Sequence, residues 1–279
     1  MKKLKNTHMQ EALHYLSAEP EFNLFIIGDI EGMGMETDQV SCYTSDTWQE
    51  GTQFPYFILN YRNNFMVYSH TVDYNHWEIA AFLQEFQMRD LSGKDDLITP
   101  LIPYLGEKMV KRTHLARLNQ VTEQPADMIS KIRRLTKEDI SAIYDLYIQI
   151  DEFASNYRGR TREKAYEDIS MNIDKLGRTY GIFAGDTLLS VAQTAAENST
   201  SAMVIGVATL PSYRQQGYAK ATVTRLCQDC LQEGKRFLCL FYDNPAAGRI
   251  YRSIGFRELG IYMMLRNPLI QKTVTYPTA

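Results

Sequence analysis

The chain has 279 residues, 44% of them hydrophobic and 23% charged, with a formal net charge of −3. That length is the size of two ordinary domains, and the charge balance implies no general affinity for nucleic acid. Four cysteines, Cys42, Cys227, Cys230 and Cys239, are too few for a disulfide framework in so long a chain. No run is long enough to cross a bilayer. Polar Asn6–Glu11 interrupts the basic start at Met1-Lys2-Lys3 before a leader could form. The expectation is a soluble, cytoplasmic protein without a membrane partner.

Taken in order, residues 7–16 and 21–31 are patterned as helices around Pro20, and Gly32 and Gly34 stop the second. Strands are expected at Gln39–Thr44, Phe54–Asn60 and Phe65–Ser69, the last two joined by a turn at Tyr61–Asn64. Asn75–Met88 reads as an amphipathic helix with Trp77, Ile79, Ala80, Leu83 and Phe86 inward. A short strand at Arg89–Ser92, a helix over Asp96–Leu105 broken at Pro100 and Pro103, and a strand at Lys108–Leu118 follow. Asn119–Met128 is polar, contains Pro125 and reads as a linker, which sets domains at 1–125 and 126–279.

The second half opens with a strand at Ile132–Leu135 and an N-cap at Thr136. Ile140, Ile143, Tyr144, Tyr147 and Ile148 form the apolar face of the next helix, and a further helix spans Arg160–Leu176. Tyr180–Ala184 and Leu188–Ala195 make a hairpin about Gly185-Asp186. After the polar loop Glu197–Ser201, Val204–Thr209 is an apolar, β-branched strand, ended by Pro211. Arg214-Gln215-Gln216-Gly217-Tyr218-Ala219 leads into a helix over Ala219–Glu233, where Cys227 and Cys230 read as two small core residues. A buried strand at Arg236–Tyr242, a helix beginning at Asn244-Pro245 and a strand at Glu258–Leu265 close the pattern.

A strand, a glycine turn and a helix N-terminus together make an anion site. The glycine lets a ligand approach the backbone, and the first helical N–H groups point outward with the helix dipole behind them. Arg214 adds charge. The sequence has neither the dinucleotide fingerprint nor the Walker phosphate loop at this place. Arg214-x-x-Gly217-x-Ala219 resembles the acyl-CoA pyrophosphate loop of the GNAT N-acetyltransferase superfamily. Asn244-x-x-Ala247-x-x-x-Tyr251-x-x-x-Gly255-Phe256 resembles that superfamily's second signature, on the expected elements. The resemblance covers about residues 130–268. It implies an α/β (α+β) fold in which each sheet is mixed, mostly antiparallel and flanked by helices. The first half matches the same element order without its first strand and is expected to be a degenerate copy. Its counterpart of the loop, His70–His76, has no glycine and no arginine and cannot make this anion site.

What the resemblance implies for chemistry is direct transfer of an acetyl group from acetyl-CoA to an amine, without a covalent enzyme intermediate or a metal. Val207, Ala208 and Thr209 would pair with the pantetheine arm, and the backbone of Gln215, Gln216, Gly217, Tyr218 and Ala219 would take the pyrophosphate. Asn244 would contact the arm, its other role being the helix N-cap. Tyr251 would protonate the leaving thiolate, since a phenol's reference pKa of about 10 lies above a thiol's of about 8.5. The strand Ser201–Val207 has no acid to serve as base. Glu197 could reach the amine through a water, or the amine could enter neutral. Asp151, Glu152, Phe153 and Tyr157 mix acids and aromatics in the way that suits an amine with an apolar body. The acceptor is expected to be a small amine or amino-acid-like molecule, and a homodimer is allowed. Tandem arrangements also occur in glycine acyltransferase-like and mycothiol synthase-like enzymes, and no motif selects either. An aminoacyl-tRNA-dependent transferase of the Fem type is disfavoured by the intact CoA loop and the negative charge. A non-catalytic acyl-CoA sensor or interaction module is the alternative.

Overall fold

In the computed structural model, residues 1–122, 126–173 and 177–268 are described. The chain begins with β1 (Lys2–Lys3), α1 (Met9–Leu16), α2 (Leu24–Met33), β2 (Val40–Thr44), β3 (Phe57–Tyr61), β4 (Asn64–Tyr68), α3 (His76–Gln84), β5 (Asp90–Lys94) and α4 (Asp95–Ile98). It continues through β6 (Met109–Leu118), α5 (Ala126–Ile129), β7 (Arg133–Arg134), α6 (Ile140–Tyr147), α7 (Asp151–Ala154) and α8 (Arg162–Met171). The remaining elements are β8 (Thr179–Ala184), β9 (Thr187–Ala195), β10 (Ser201–Thr209), α9 (Tyr218–Gln232), β11 (Phe237–Tyr242), α10 (Pro245–Ile254) and β12 (Arg257–Arg266).

Two compact units result. One holds Met1–Leu115 and the described chain from Gly260 onward; the other holds Ala116–Leu259. In the first unit the strands lie in the order β1-β2-β3-β4-β5-β12. The β3–β4 turn forms as expected: Arg62 and Asn63 take φ of 49° and 66°, the left-handed pair whose twist matches a hairpin. Only β4 and β5 run parallel, and α3 is the crossover between them. The two-residue strand β1, which the sequence pattern did not reveal, pairs antiparallel with Tyr43 and Thr44. Lys2-Lys3 carries no apolar alternation, so nothing marks it before its partner is known.

The second unit repeats this plan as β7-β8-β9-β10-β11, with β10 and β11 as the parallel pair and α9 as their crossover. It too starts from a two-residue edge strand, Arg133–Arg134, pairing with Tyr180 and Gly181. The strand order β1 to β5 of the first unit is thus the same as the order β7 to β11 of the second, and the first strand, expected to be missing from the first half, is present as β1. Each unit has its own apolar core, built on β2–β5 and α1–α3 in the first and on β8–β11, α6 and α9 in the second.

The last strand crosses this division. Tyr262–Arg266 pairs antiparallel with Asp90–Lys94, so β12 supplies the sixth strand of the first unit. Met263 and Leu265 are fully buried in that unit's core, each worth about 1.5–3 kcal/mol of burial. Arg266 pairs with Asp90 at 2.8 Å.

Three expected features differ. Trp77 is 64% exposed and Ile148 is 44% exposed, because each lies off the stripe that its helix buries. The helix expected from Arg160 starts at Arg162, since Thr161 caps it by accepting from the Lys164 N–H; residues 174–176 of that expectation lie outside the described residues. The strand expected from Val204 begins at Ser201, where Asn198 Oδ1 accepts from the Ser201 N–H at 2.7 Å and turns the chain into it. Among the described residues, no helix is long and apolar enough to cross a membrane.

Candidate functional site: an opened strand edge and an uncapped helix

The parallel pairing of β10 with β11 runs from Ser201–Phe237 to Val204–Leu240 and stops there. On its other edge β10 pairs with β9 as far as Ile205–Gln193, then slips before Ala208–Val191. Gly206 sits in the slip with φ 61°, a conformation that glycine adopts without the Cβ penalty. Such a bulge bends its strand and ends pairing locally. The backbone of Ile205–Thr209 therefore has no β11 partner, and an extended ligand could add to it as a strand would. The sequence dictates this: a β-branched run interrupted by one glycine.

The strand then feeds the loop. Pro211–Tyr213 makes a 3₁₀ turn, and Arg214 Nε donates to the Thr209 carbonyl at 3.3 Å. Gln215 and Gly217 both have left-handed φ, 63° and 86°. Gly217 is the N-cap of α9 and brings no capping side chain, and the first turn of α9 holds no acid. The first N–H groups of a 15-residue helix are thus left for an external acceptor, with the positive end of its dipole behind them. Cys227 and Cys230 lie buried on the inner face of α9, where burial holds both thiols above their ordinary range.

The first unit supplies a built-in comparison. Its β4 pairs with β3 without a slip. At Gly93, just past the last β4–β5 pair, a Cβ would lie 2.6 Å from the Val67 carbonyl and 3.0 Å from Ile98 Cδ1. The strands stay together there, and the Tyr74 hydroxyl donates to the Leu97 carbonyl beside them. The N-terminus of α3 is closed as well: Asn75 Oδ1 accepts from the Glu78 N–H at 3.1 Å, and Glu78 puts a carboxylate in the first turn. The N-terminus of α3 is thus capped and acidic, and that of α9 has neither a capping side chain nor an acid in its first turn.

Beyond β11, Asn244 caps α10 by accepting from the Ala246 N–H at 2.8 Å, with Pro245 at the first helical position. Its side chain is otherwise exposed. Tyr251 lies on the buried face of α10, its ring 6.0 Å from those of Tyr242 and Phe256. Burial first, and then the neighbouring Cys227, raises the Tyr251 hydroxyl above the ordinary phenol range. It therefore keeps its proton at neutral pH.

The remaining expected site residues divide. Glu197 Oε1 and Oε2 accept from Arg178 at 2.9 and 2.8 Å, and Oε1 also accepts from the Thr194 hydroxyl at 2.5 Å. Burial alone would raise its carboxyl, but these bonds and the Arg178 and Lys235 charges overcome it and leave the carboxyl below its usual range. Glu197 precedes Ser201, at the end of β10 opposite Thr209, about 25 Å along the strand. Such a carboxylate is engaged in holding Arg178. Asp151 and Glu152 are exposed at the start of α7. Phe153 and Tyr157 turn inward, and both stack on Tyr147 of α6, with ring centroids 4.7 and 6.1 Å apart. Tyr147 also approaches the bulge. A Cβ on Gly206 would meet the Tyr147 hydroxyl at 3.3 Å and Gln193 Oε1 at 2.9 Å. Sequence reasoning placed Tyr147 on an apolar helix face and passed over Gln193. Its signal was a single amide in the run Leu188–Ala195.

Comparison with known proteins gives the family and the fold. The model of the GNAT acetyltransferase family matches residues 104–265. An X-ray structure of a Drosophila protein is similar over 96% of this chain and 98% of its own, with 14% identity and a TM-score of 0.65. A GCN5-related N-acetyltransferase from Sphaerobacter thermophilus is similar over 95% and 94%, with 12% identity and a TM-score of 0.61. A tandem GNAT protein from the clavulanic acid biosynthesis pathway is similar over 94% and 96%, with 12% identity and a TM-score of 0.55. No curated protein matches the sequence. With the family model matching more than half of the residues, the chain belongs to the GNAT acetyltransferase family.

Proposed function

We propose that the unit Ala116–Leu259 transfers an acetyl group from acetyl-CoA to the amine of a small, amino-acid-like acceptor. One observation carries the reading: on a single strand–loop–helix, the edge of Ile205–Thr209 is released from β11 and leads to the uncapped N-terminus at Gly217. A long ligand with a peptide-like arm and a pyrophosphate end fits both. The backbone of Val207, Ala208 and Thr209 would hold the arm. The N–H groups from Gln215 to Ala219 would hold the pyrophosphate, with Arg214 beside them. Asn244, its Oδ1 already committed to the cap, would offer its amide N–H to the arm. Acetyl-CoA supplies an activated acyl group when bound.

The chain's own residues then have three tasks. They bring the amine and the thioester together, which alone removes much of the barrier. The bulge turns backbone N–H groups toward the place where negative charge develops on the carbonyl oxygen. Tyr251 gives its proton to the departing sulfur as the C–S bond breaks and the C–N bond forms, and is reprotonated from solvent. The amine's proton leaves to water, since β10 carries no carboxylate and Glu197 is tied to Arg178. That same lack favours a second reading, a sensor that binds acyl-CoA without transferring it.

The test is thiol release from acetyl-CoA over a panel of small amines, with wild type and Tyr251→Phe. Amine-dependent release that falls about 100-fold in the variant, with CoA affinity kept, supports the reading. Tight CoA binding with no release for any amine supports the sensor, and undiminished turnover in the variant removes Tyr251 from the mechanism.

A further inference from the structure

Among the described residues, four buried side-chain polar atoms have no partner; one is the Thr224 hydroxyl on α9, and the other three stand on one side of the β8–β9–β10 sheet. These three are the Tyr147 hydroxyl, Gln193 Nε2 and the Thr179 hydroxyl. Their residues are 4%, 2% and 0% exposed. Thr179 and Gln193 are direct cross-strand neighbours, so their side chains lie on the same face. Gln193 in turn pairs with Ile205 at the slip, and both it and Tyr147 reach toward Gly206. A buried polar atom left unpaired is destabilising, and native structures rarely accept it without a purpose. Three in one row, beside the bulge that opens the strand edge, require a common explanation.

The chemistry of the row is that of a hydrogen-bond donor set: a phenolic O–H, an amide NH₂ and a hydroxyl. Its complement is an oxygen with free lone pairs. Charge narrows the choice. The arginines of the next segment are engaged or turned to solvent: the Arg158 side chain is 74% exposed and lies 3.8 Å from Asp151, Arg160 pairs with Asp168 at 2.5 Å, and Arg162 meets the Tyr166 hydroxyl at 2.8 Å and Asp145 at 3.4 Å. With these arginines engaged elsewhere or turned to solvent, a carboxylate buried here would be far costlier than a neutral carbonyl. Beside the row, Phe153 and Tyr157 both stack on the Tyr147 ring, an apolar stack of three aromatic side chains.

We propose that Tyr147, Gln193 and Thr179 form the polar end of the acceptor site, and that it takes the uncharged carbonyl oxygen of an α-amino amide with an apolar side chain. This rests on the acyltransferase reading for the word acceptor, but the site itself is a binding site in either case. Gly206 is where the two meet: a side chain there would press on both Gln193 and Tyr147. The amide's carbonyl is fixed by the row, its side chain lies against the stack of Phe153, Tyr147 and Tyr157, and its amine is left toward the bulge.

Three probes that differ only at this group decide the matter: phenylalaninamide, phenylalanine and phenethylamine. Binding to the full chain is measured by calorimetry without acetyl-CoA, so that the result does not depend on turnover. The expected order is phenylalaninamide at least tenfold tighter than either of the others. Tyr147→Phe and Gln193→Leu should each bring phenylalaninamide down to within about twofold of phenethylamine. Melting curves identify a variant that has failed to fold. Tyr147→Phe removes an orphaned hydroxyl and should melt no lower than wild type. Equal affinity for all three probes, tighter binding of the free acid, or a margin that survives both substitutions would overturn the proposal and leave the row as the seat of an internal water. Absence of thiol release with the amide margin intact would instead sink only the catalytic reading.

Discussion

Val204 and Leu240 are the last residues of β10 and β11 to face each other as parallel partners, and Gly206 lies two positions beyond. The opening of the strand edge therefore depends on one residue in a left-handed conformation. Gly206→Ala must hold φ near 61° and push a methyl to within 2.9 Å of Gln193. The expected cost is about 2 kcal/mol of stability, with CoA affinity reduced at least tenfold; thermal unfolding and calorimetry measure the two.

Gly217 offers the contrasting case. A Cβ there meets nothing nearer than Met128 Cε at 4.0 Å, so only its φ of 86° constrains it. Gly217→Val is expected to cost about 1–2 kcal/mol in backbone strain. On the proposed reading its effect on CoA binding should be the larger one, because a side chain would stand where the pyrophosphate would approach. Titration with 3′-phospho-ADP, which carries the pyrophosphate, and with pantetheine, which does not, would show whether the loss lies at that end.

Tyr251 should act at unusually high pH. Its folded hydroxyl is raised by burial, so the proton it donates remains in place as pH passes the reference phenol value of about 10. The pH profile of kcat should show no alkaline fall attributable to this group below that value. A wild-type fall near pH 8 that is absent from Tyr251→Phe would contradict the assignment.

Glu197 should govern acid stability. Its folded carboxyl lies below the unfolded value of 4.5, so the stabilisation is complete above that pH and is lost as pH falls through the folded value. Glu197→Gln should flatten the acid limb below about pH 4.5. Glu197→Ala leaves Arg178, whose side chain is 9% exposed, with Glu233 alone, and should cost about 3 kcal/mol. Urea unfolding across pH 3–7 would measure both. Little change in kcat is expected from a residue at the far end of β10.

The pattern of strands and crossover helices was legible because both halves alternate in the same order, and the turns at Tyr61–Asn64 and Gly185-Asp186 fixed the hairpins. The loop and cap residues were legible because they are local: Gly217, Asn244 and Pro245 act on their own neighbours in the chain. The rest was not local. Lys2–Lys3 is a strand only because Tyr43 and Thr44 lie beside it. Glu197 looked free until Arg178 was found across the hairpin. Tyr147 and Gln193 come from different elements and converge on a bulge that no pattern of hydrophobicity announces.

The origin of β12 has a consequence for synthesis. The first unit receives its sixth strand from Tyr262–Arg266, after Ala116–Leu259 of the second unit has been translated. At about 5–20 residues per second, on the order of ten to thirty seconds separate Leu115 from Arg266 on the ribosome. During that interval the Asp90–Lys94 edge waits unpaired, and a nascent chain stalled there would offer it to chaperones or to a neighbouring chain. Order of translation and order of completion are reversed: the part made first is the part finished last.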